Sequence, residues 1–324
     1  MPKELIHFTI AEKTAQRLAD TRYAHCINDE HSGLLLGSIF HDALFYAIMP
    51  GGKPIEALAH RLHGATGEDT FTLIRMQANH AAAAKHPALP AAILVGMISH
   101  LFADVIMHPM VWYFTGNYYA DNPLEKSQSR QRHRALEALM DMVACPDKIG
   151  HTQYLIRTQH RQCKSLYSQG LPIREIADLA SMPENKAKRQ LTTAWSIFAS
   201  IQSLFPRTWL ARPLFRLRSF LPNSFNEITS LFYAPQLQKQ AGLLKGEIQY
   251  FHPATNEDII SSLEILMETA ATLAEELCRK LENTVFDQEP LNLVGTGPSM
   301  DAGFSGMPTT EMLHFAIPPY PTLE

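Results

Sequence analysis

Apolar positions crowd most densely between Ile93 and Trp112, ILVGMISHLFADVIMHPMVW, where His100, Asp104 and His108 interrupt the run at spacings of four. Four residues turn an α-helix through about 400°, so the three side chains fall on one face about 40° apart. A His-Asp-His stripe inside an apolar helix must be satisfied, because an unpaired buried carboxylate costs several kcal/mol or takes up a proton. A divalent metal satisfies all three groups, since neutral imidazole and carboxylate are zinc-type ligands. A hydrogen-bonded Asp–His cluster without metal is the other reading. Downstream, RQRHRALEALMD sets His133, Glu137 and Asp141 one helical turn apart. Two such helices facing each other can build a metal site inside a bundle.

The same patterning lays out the rest of the chain. Leu5, Phe8, Ile10, Ala11, Ala15 and Leu18 predict a helix with His7 in its first turn. GLLLGSIFHDALFYAI, residues 33–48, is too apolar for a surface element, yet Asp42 lies inside it beside His41. Adjacent helical residues point about 100° apart, so His41 and Asp42 are not expected to serve one site together. MPGGKP is a loop by composition, and the helix after it offers His60 and His63. Pro109 disfavours α geometry at His108, which predicts that the central helix bends or ends there. Phe114 to Lys126 reads as a loop, with Tyr118 and Tyr119 placed where substrate contacts would fall.

After Pro146 the ligand-type pattern stops. Residues 171–205 read as two amphipathic helices. Thr208 to Pro222 interleaves arginines with Trp, Leu and Phe; packing is the preferred reading, and a face for acidic lipid or an acidic partner is the other. HPATNEDI carries a cap-like start for one long helix to about Asn283. Strand patterns and fixed repeats are absent, so the expected class is all-α, a multi-helical bundle. Three parts are expected: a metal-binding core at 1–146, further helices packed on it at 147–286, and a Gly/Pro-rich tail at 287–324 that is extended or disordered.

Composition narrows the functional classes. The net charge of −4 comes without a basic block, which argues against a nucleic-acid surface. Ionisable groups in the middle of the longest apolar run argue against a transmembrane segment. The four cysteines form no CxxC, and the N-terminal stretch turns polar too early for a secretory signal; a cytoplasmic protein is expected. Of the 15 histidines, 13 precede residue 161, in the half that carries the ligand-type stripes.

HxxxDxxxHP at His100 to Pro109, followed by HxxxE at His133 to Glu137, resembles the zinc-dependent phospholipase C family, distantly related to P1-type zinc nucleases. HFTIAEKTAQRL at His7 is similar to the first helix of that family, and LLLGSIFHDALFY to its approach to a metal-binding Asp. The resemblance covers about residues 5–145. It implies His7, Asp42, His63, His100, Asp104, His108, His133 and Glu137 as ligands of two or three Zn²⁺ ions, and it favours His63 over His60. It also implies that Asp42 orients or deprotonates the attacking water. In the family a free N-terminal amine often completes the third metal site; here that amine would be Met1 or Pro2.

Neutral histidines with only Asp42, Asp104 and Glu137 as anions would leave the ions undercompensated in an apolar pocket, which suits an anionic substrate. The expected substrate is a phospholipid or small phosphodiester, with peripheral membrane contact. An HD-type metal phosphohydrolase is the second reading, taking His41-Asp42 with Asp104 and leaving His100, His108, His133 and Glu137 without a role. A non-catalytic metal-binding helical protein is the third.

Overall fold

The structure, a computed structural model, describes residues 3–323. It is all-α apart from one antiparallel hairpin, Ile248–Phe251 with Asp258–Ser261. Ala88–Thr115 forms the axis of the fold and is buried along nearly its whole length, as a helix apolar on every side must be. It is long and apolar enough to cross a membrane, but its surface is covered by the protein itself. Glu4–Arg17, Tyr23–Asp29, His31–Gly37, Phe71–Ala83 and Leu263–Asp287 pack around it. One hydrophobic cluster runs from Leu5 to Met300, so the helices after residue 146 share a core with those before it.

Two glycines set how closely His31–Gly37 can approach the central helix. A Cβ at Gly37 would lie 2.3 Å from the Ile93 carbonyl oxygen, and one at Gly96 would lie 2.2 Å from that of Leu34. The backbones therefore touch at this crossing, which carries Ser38 and Asp42 to the level of His100. Without glycine on both sides Ser38 and Asp42 would be pushed away from His100.

Two local expectations are corrected. The central helix neither ends nor breaks at His108; it continues through Pro109 to Thr115. Pro109 supplies no N–H for the Val105 carbonyl, and Gly303 from the C-terminal segment lies over that carbonyl, where a Cβ would come within 3.2 Å. The Thr-Asn-Glu-Asp stretch does not start a helix. It turns the hairpin, with Asn256 at φ 58°, and the long helix instead begins at Leu263, capped by the Ser262 side chain. The C-terminal segment has little regular structure but is not loose. Met300 donates its N–H to the His63 carbonyl at 2.9 Å, Thr309 to Ala65 at 3.0 Å, Ala316 to Tyr113 at 2.7 Å and Tyr320 to Phe114 at 2.7 Å. It is strapped across the ligand-bearing elements.

Candidate metal centre

Five elements bring the site together. His7 comes from Glu4–Arg17, Asp42 from the single turn Phe40–Ala43, and His63 from the C-cap of Lys53–Leu62. His100, Asp104 and His108 line one face of the central helix, and His133 and Glu137 one face of Pro123–Ala144. All eight side chains are buried. Asn122 fixes the start of the last helix by accepting hydrogen bonds from the Leu124 and Glu125 N–H groups, with Pro123 at its first position.

The donor atoms form two groups. Asp42, His63, His100 and Asp104 make one; His108, His133 and Glu137 make the other. In the first, Asp42 Oδ1 lies 3.5 Å from His63 Nε2 and 3.6 Å from His100 Nε2, while Asp104 Oδ2 lies 3.3 Å from His100 Nε2 and 3.8 Å from His63 Nε2. Bonds of 2.0–2.2 Å to a tetrahedral ion require ligand–ligand edges of roughly 3.3–3.6 Å. In the second, Glu137 Oε1 is 3.1 Å from His133 Nε2 and 3.9 Å from His108 Nε2.

Asp104 spans the two. Its Oδ2 serves the first group, and its Oδ1 sits 3.7 Å from His108 Nε2 and 3.5 Å from His7 Nε2. His7 Nε2 is also 3.8 Å from Asp42 Oδ2, so the two aspartates and His7 define the seam between the groups. The N-terminal amine, expected from the resemblance to complete a third site, lies outside the described residues.

The chemistry of these donors fits a cation. Asp42 Oδ1, both oxygens of Asp104, and Nε2 of His7, His63, His100 and His108 are buried without a hydrogen-bond partner. Polar atoms stranded in this way cost several kcal/mol together unless an ion takes them. The imidazoles are also oriented from behind: Nδ1–H donates to the Ala59 carbonyl at 2.7 Å from His63, to Ser38 at 2.9 Å from His100, and to Met300 at 2.9 Å from His108. Such contacts fix the tautomer and leave Nε2 as the ligand.

Protonation agrees. Burial lowers His7 to about 3 and His133 to about 4, which keeps both neutral at pH 7. At His100 burial is outweighed by Asp104 and Asp42, and the pKa rises. Burial would raise Asp104, but His108 and His100 hold it well below the usual carboxylate range.

The structure separates the neighbours that sequence left open. His63 joins the first group, whereas His60 lies on the pocket wall with Nδ1 3.3 Å from the Tyr119 hydroxyl. His41 is buried but outside both groups; its ring stacks behind His100 at 4.6 Å, which removes the main support for the HD-type reading. Asp141 turns away as well. It accepts hydrogen bonds from the Leu5 and Ile6 N–H groups at 3.3 and 3.0 Å and from the Tyr233 hydroxyl at 2.7 Å, holding the start of the helix that carries His7.

One residue was missed entirely. Asp301, in the C-terminal segment, places Oδ1 3.2 Å from His108 Nδ1 and accepts from Trp112 Nε1–H at 3.3 Å. Its sequence context, a Gly/Pro-rich stretch without periodicity, carried no signal.

A cavity of about 370 Å³ opens beside the second group. Its lining combines polar groups of His63, His133, Glu137 and Asp301 with the aromatic Trp112, Tyr118 and Tyr119 and the aliphatic Ile48, Ile201, Ile228 and Leu231. Arg130 and Arg134 also reach it.

The fold and the donor set define a predominantly helical protein with two adjoining His/carboxylate groups able to hold metal ions, the second beside an open pocket. A sequence model of the family described as zinc dependent phospholipase C matches residues 6–185, more than half of the chain, and the chain belongs to that family. The match extends about 40 residues beyond the stretch on which the resemblance was first drawn. Neither the curated proteins nor the solved structures contain a match.

Proposed function

We propose that this chain is a zinc-dependent phosphodiester hydrolase, phospholipase C-like in action, that binds two or three Zn²⁺ ions through His7, Asp42, His63, His100, Asp104, His108, His133 and Glu137. The observation that carries the reading is the convergence of these side chains, with buried atoms of His7, Asp42, His63, His100, Asp104 and His108 that no hydrogen bond satisfies. Zinc held there would act as a Lewis acid on the phosphate and lower the pKa of a bound water to about 7.

The chain's own residues do the remaining work. Ala59, Ser38 and Met300 hold three imidazoles in one tautomer. Asp42, 6 % exposed, is the carboxylate assigned to orient the attacking water or take its proton. The cavity offers the phosphodiester its polar groups and an acyl chain the aliphatic side chains of Ile48, Ile201, Ile228 and Leu231. That apolar lining favours a lipid over a small soluble diester. Action from the cytoplasmic side is part of the proposal.

Elemental analysis should find two or three zinc ions per chain. Hydrolysis of a chromogenic phosphodiester and of phosphatidylcholine or phosphatidylethanolamine micelles should stop with chelator and return with zinc. Asp42→Asn should lower turnover about 10²–10⁴-fold with a smaller loss of metal. Activity that survives both chelation and this substitution would end the zinc-hydrolase reading; cleavage of the soluble diester alone would end the phospholipase part of it.

A further inference from the structure

The helix Thr208–Leu217 packs on the core through Leu210, Ala211, Leu214 and Phe215, as expected, but its other face is open. Only Ala211 is buried in Thr208–Leu217, and the exposed face continues past it. Trp209 is 72 % exposed, Leu217 51 % and Phe220 84 %. With Arg212, Pro213 and Arg216 these residues follow one helical stripe at spacings of three and four, so large apolar groups and cations share a single outward face. Isolated exposed apolar residues are ordinary, but a contiguous set rimmed by charge marks a surface that meets something.

Two observations say what it meets. The first is charge. From Arg207 to Ile228 there are four arginines and one acidic residue, Glu227, which is engaged by Ser127 and Arg134, in a chain whose net charge is −4. Arg207, Arg212 and Arg216 are exposed, while Arg218 turns inward and donates to Gln131 Oε1 at 2.9 Å. The second is position. The short helix Asn223–Thr229 continues the patch through Phe225, 43 % exposed, to Ile228, 46 % exposed, which lines the cavity beside the second ligand group. Ile48, 63 % exposed, stands on the rim of the same cavity. Exposed apolar residues thus recur along the chain from Trp209 to Ile228 at the cavity.

We propose that Arg207–Ile228 is an interfacial docking surface for an anionic phospholipid bilayer. Trp209, Leu217 and Phe220 enter the headgroup–acyl boundary, and Arg207, Arg212 and Arg216 meet the lipid phosphates. Amphipathic helices with Trp, Phe and Leu beside arginines bind membranes in this way. Docking there sets the pocket mouth at the level from which a lipid can slide in. The site's orientation toward catalysis rests on the hydrolase reading; binding itself does not.

Trp209 is its own reporter, because the other two tryptophans, Trp112 and Trp195, are each 1 % exposed. The zinc-loaded full chain should show a blue shift of tryptophan fluorescence, and should sediment, with phosphatidylcholine vesicles containing phosphatidylglycerol, and far less with phosphatidylcholine alone. Arg212→Glu with Arg216→Glu should weaken sedimentation at least about tenfold, and Phe220→Ala should weaken it too. Both variants should keep the circular-dichroism spectrum and soluble-diester hydrolysis of the parent. Equal binding to neutral and anionic vesicles, no blue shift, or a homodimer dispersed by Phe220→Ser would each overturn the proposal. Vesicle binding in a chain that hydrolyses nothing would uphold the surface and reject the hydrolase.

Discussion

The two ligand groups are built differently. The first draws its four donors from three separate parts of the chain, has two carboxylates, and has both imidazoles locked by main-chain carbonyls of Ala59 and Ser38. Only His63 among them reaches the cavity. The second comes from two neighbouring helices, has one carboxylate, and presents His133 and Glu137 to the cavity. Its His108 is oriented by a segment almost 200 residues downstream, through Met300 and Asp301. More negative charge and less solvent suit the first group to hold an ion firmly. The second, with fewer ligands and an open side, is suited to share its ion with a substrate.

The largest effect should come from the residue between them. Asp104→Asn keeps the shape but removes the charge that both groups use, and it leaves an amide N–H₂ facing a ligand atom. Metal bound to either group should fall, and diester hydrolysis should fall by about 10³-fold or more. Elemental analysis that finds full occupancy in this variant would remove Asp104 from the seam. Glu137→Gln should be more selective. It removes the carboxylate that belongs to the second group alone, so about one zinc per chain should be lost while the first group stays filled. Loss of all metal from Glu137→Gln would show that the groups are one cooperative cluster and erase the distinction drawn above.

The difference between the groups also explains what the sequence disclosed. Spacing of four on an apolar helix exposed His100, Asp104 and His108, and the same spacing found His133 and Glu137, because helical period and ligand geometry coincide there. His7, Asp42 and His63 have no such internal period; they converge through tertiary contacts such as the glycine crossing of Gly37 and Gly96, and apart from the apolar setting that singled out Asp42, family resemblance was what reached them. Asp301 was out of reach of both. It lies beyond the matched residues 6–185, in a segment whose order comes from backbone hydrogen bonds to His63, Ala65, Tyr113 and Phe114 that no local pattern announces. The two-stranded hairpin was missed for a related reason: its four-residue strands alternate over too few positions to stand out.

Asp301→Asn tests that C-terminal contribution. The substitution keeps a group beside His108 Nδ1 but removes the charge that, together with the Met300 carbonyl, orients and polarises the imidazole. Partners of this kind are worth about 10–100-fold in metal affinity. The loss should appear as faster zinc release to a chelator from the second group alone. An equal loss from both groups would point to a general loosening of the fold, and no change would leave Met300 as the sole orienter of His108.

The smallest effect on chemistry should come from Asp141, although it continues the stripe of His133 and Glu137. Its three accepted hydrogen bonds hold Leu5, Ile6 and Tyr233, so its role is to seat the helix that bears His7. Asp141→Asn turns one acceptor into a donor against those groups and should destabilise the fold by about 1–3 kcal/mol, with hydrolysis reduced by less than about tenfold. The deficit should depend on pH. Burial pushes the Asp141 carboxyl up to about 7, against a partial offset from Lys3. A carboxyl whose folded pKa is raised favours folding most when protonated, so its contribution is full below about pH 4 and is lost as pH rises through about 7. The asparagine does not titrate. The stability gap between parent and variant should therefore be widest near pH 4 and narrow toward pH 8, as read from urea unfolding of the apo proteins. A gap that widens with pH instead would mean that Asp141 works as a charged partner of Lys3, and that the start of the His7 helix is held by an ion pair.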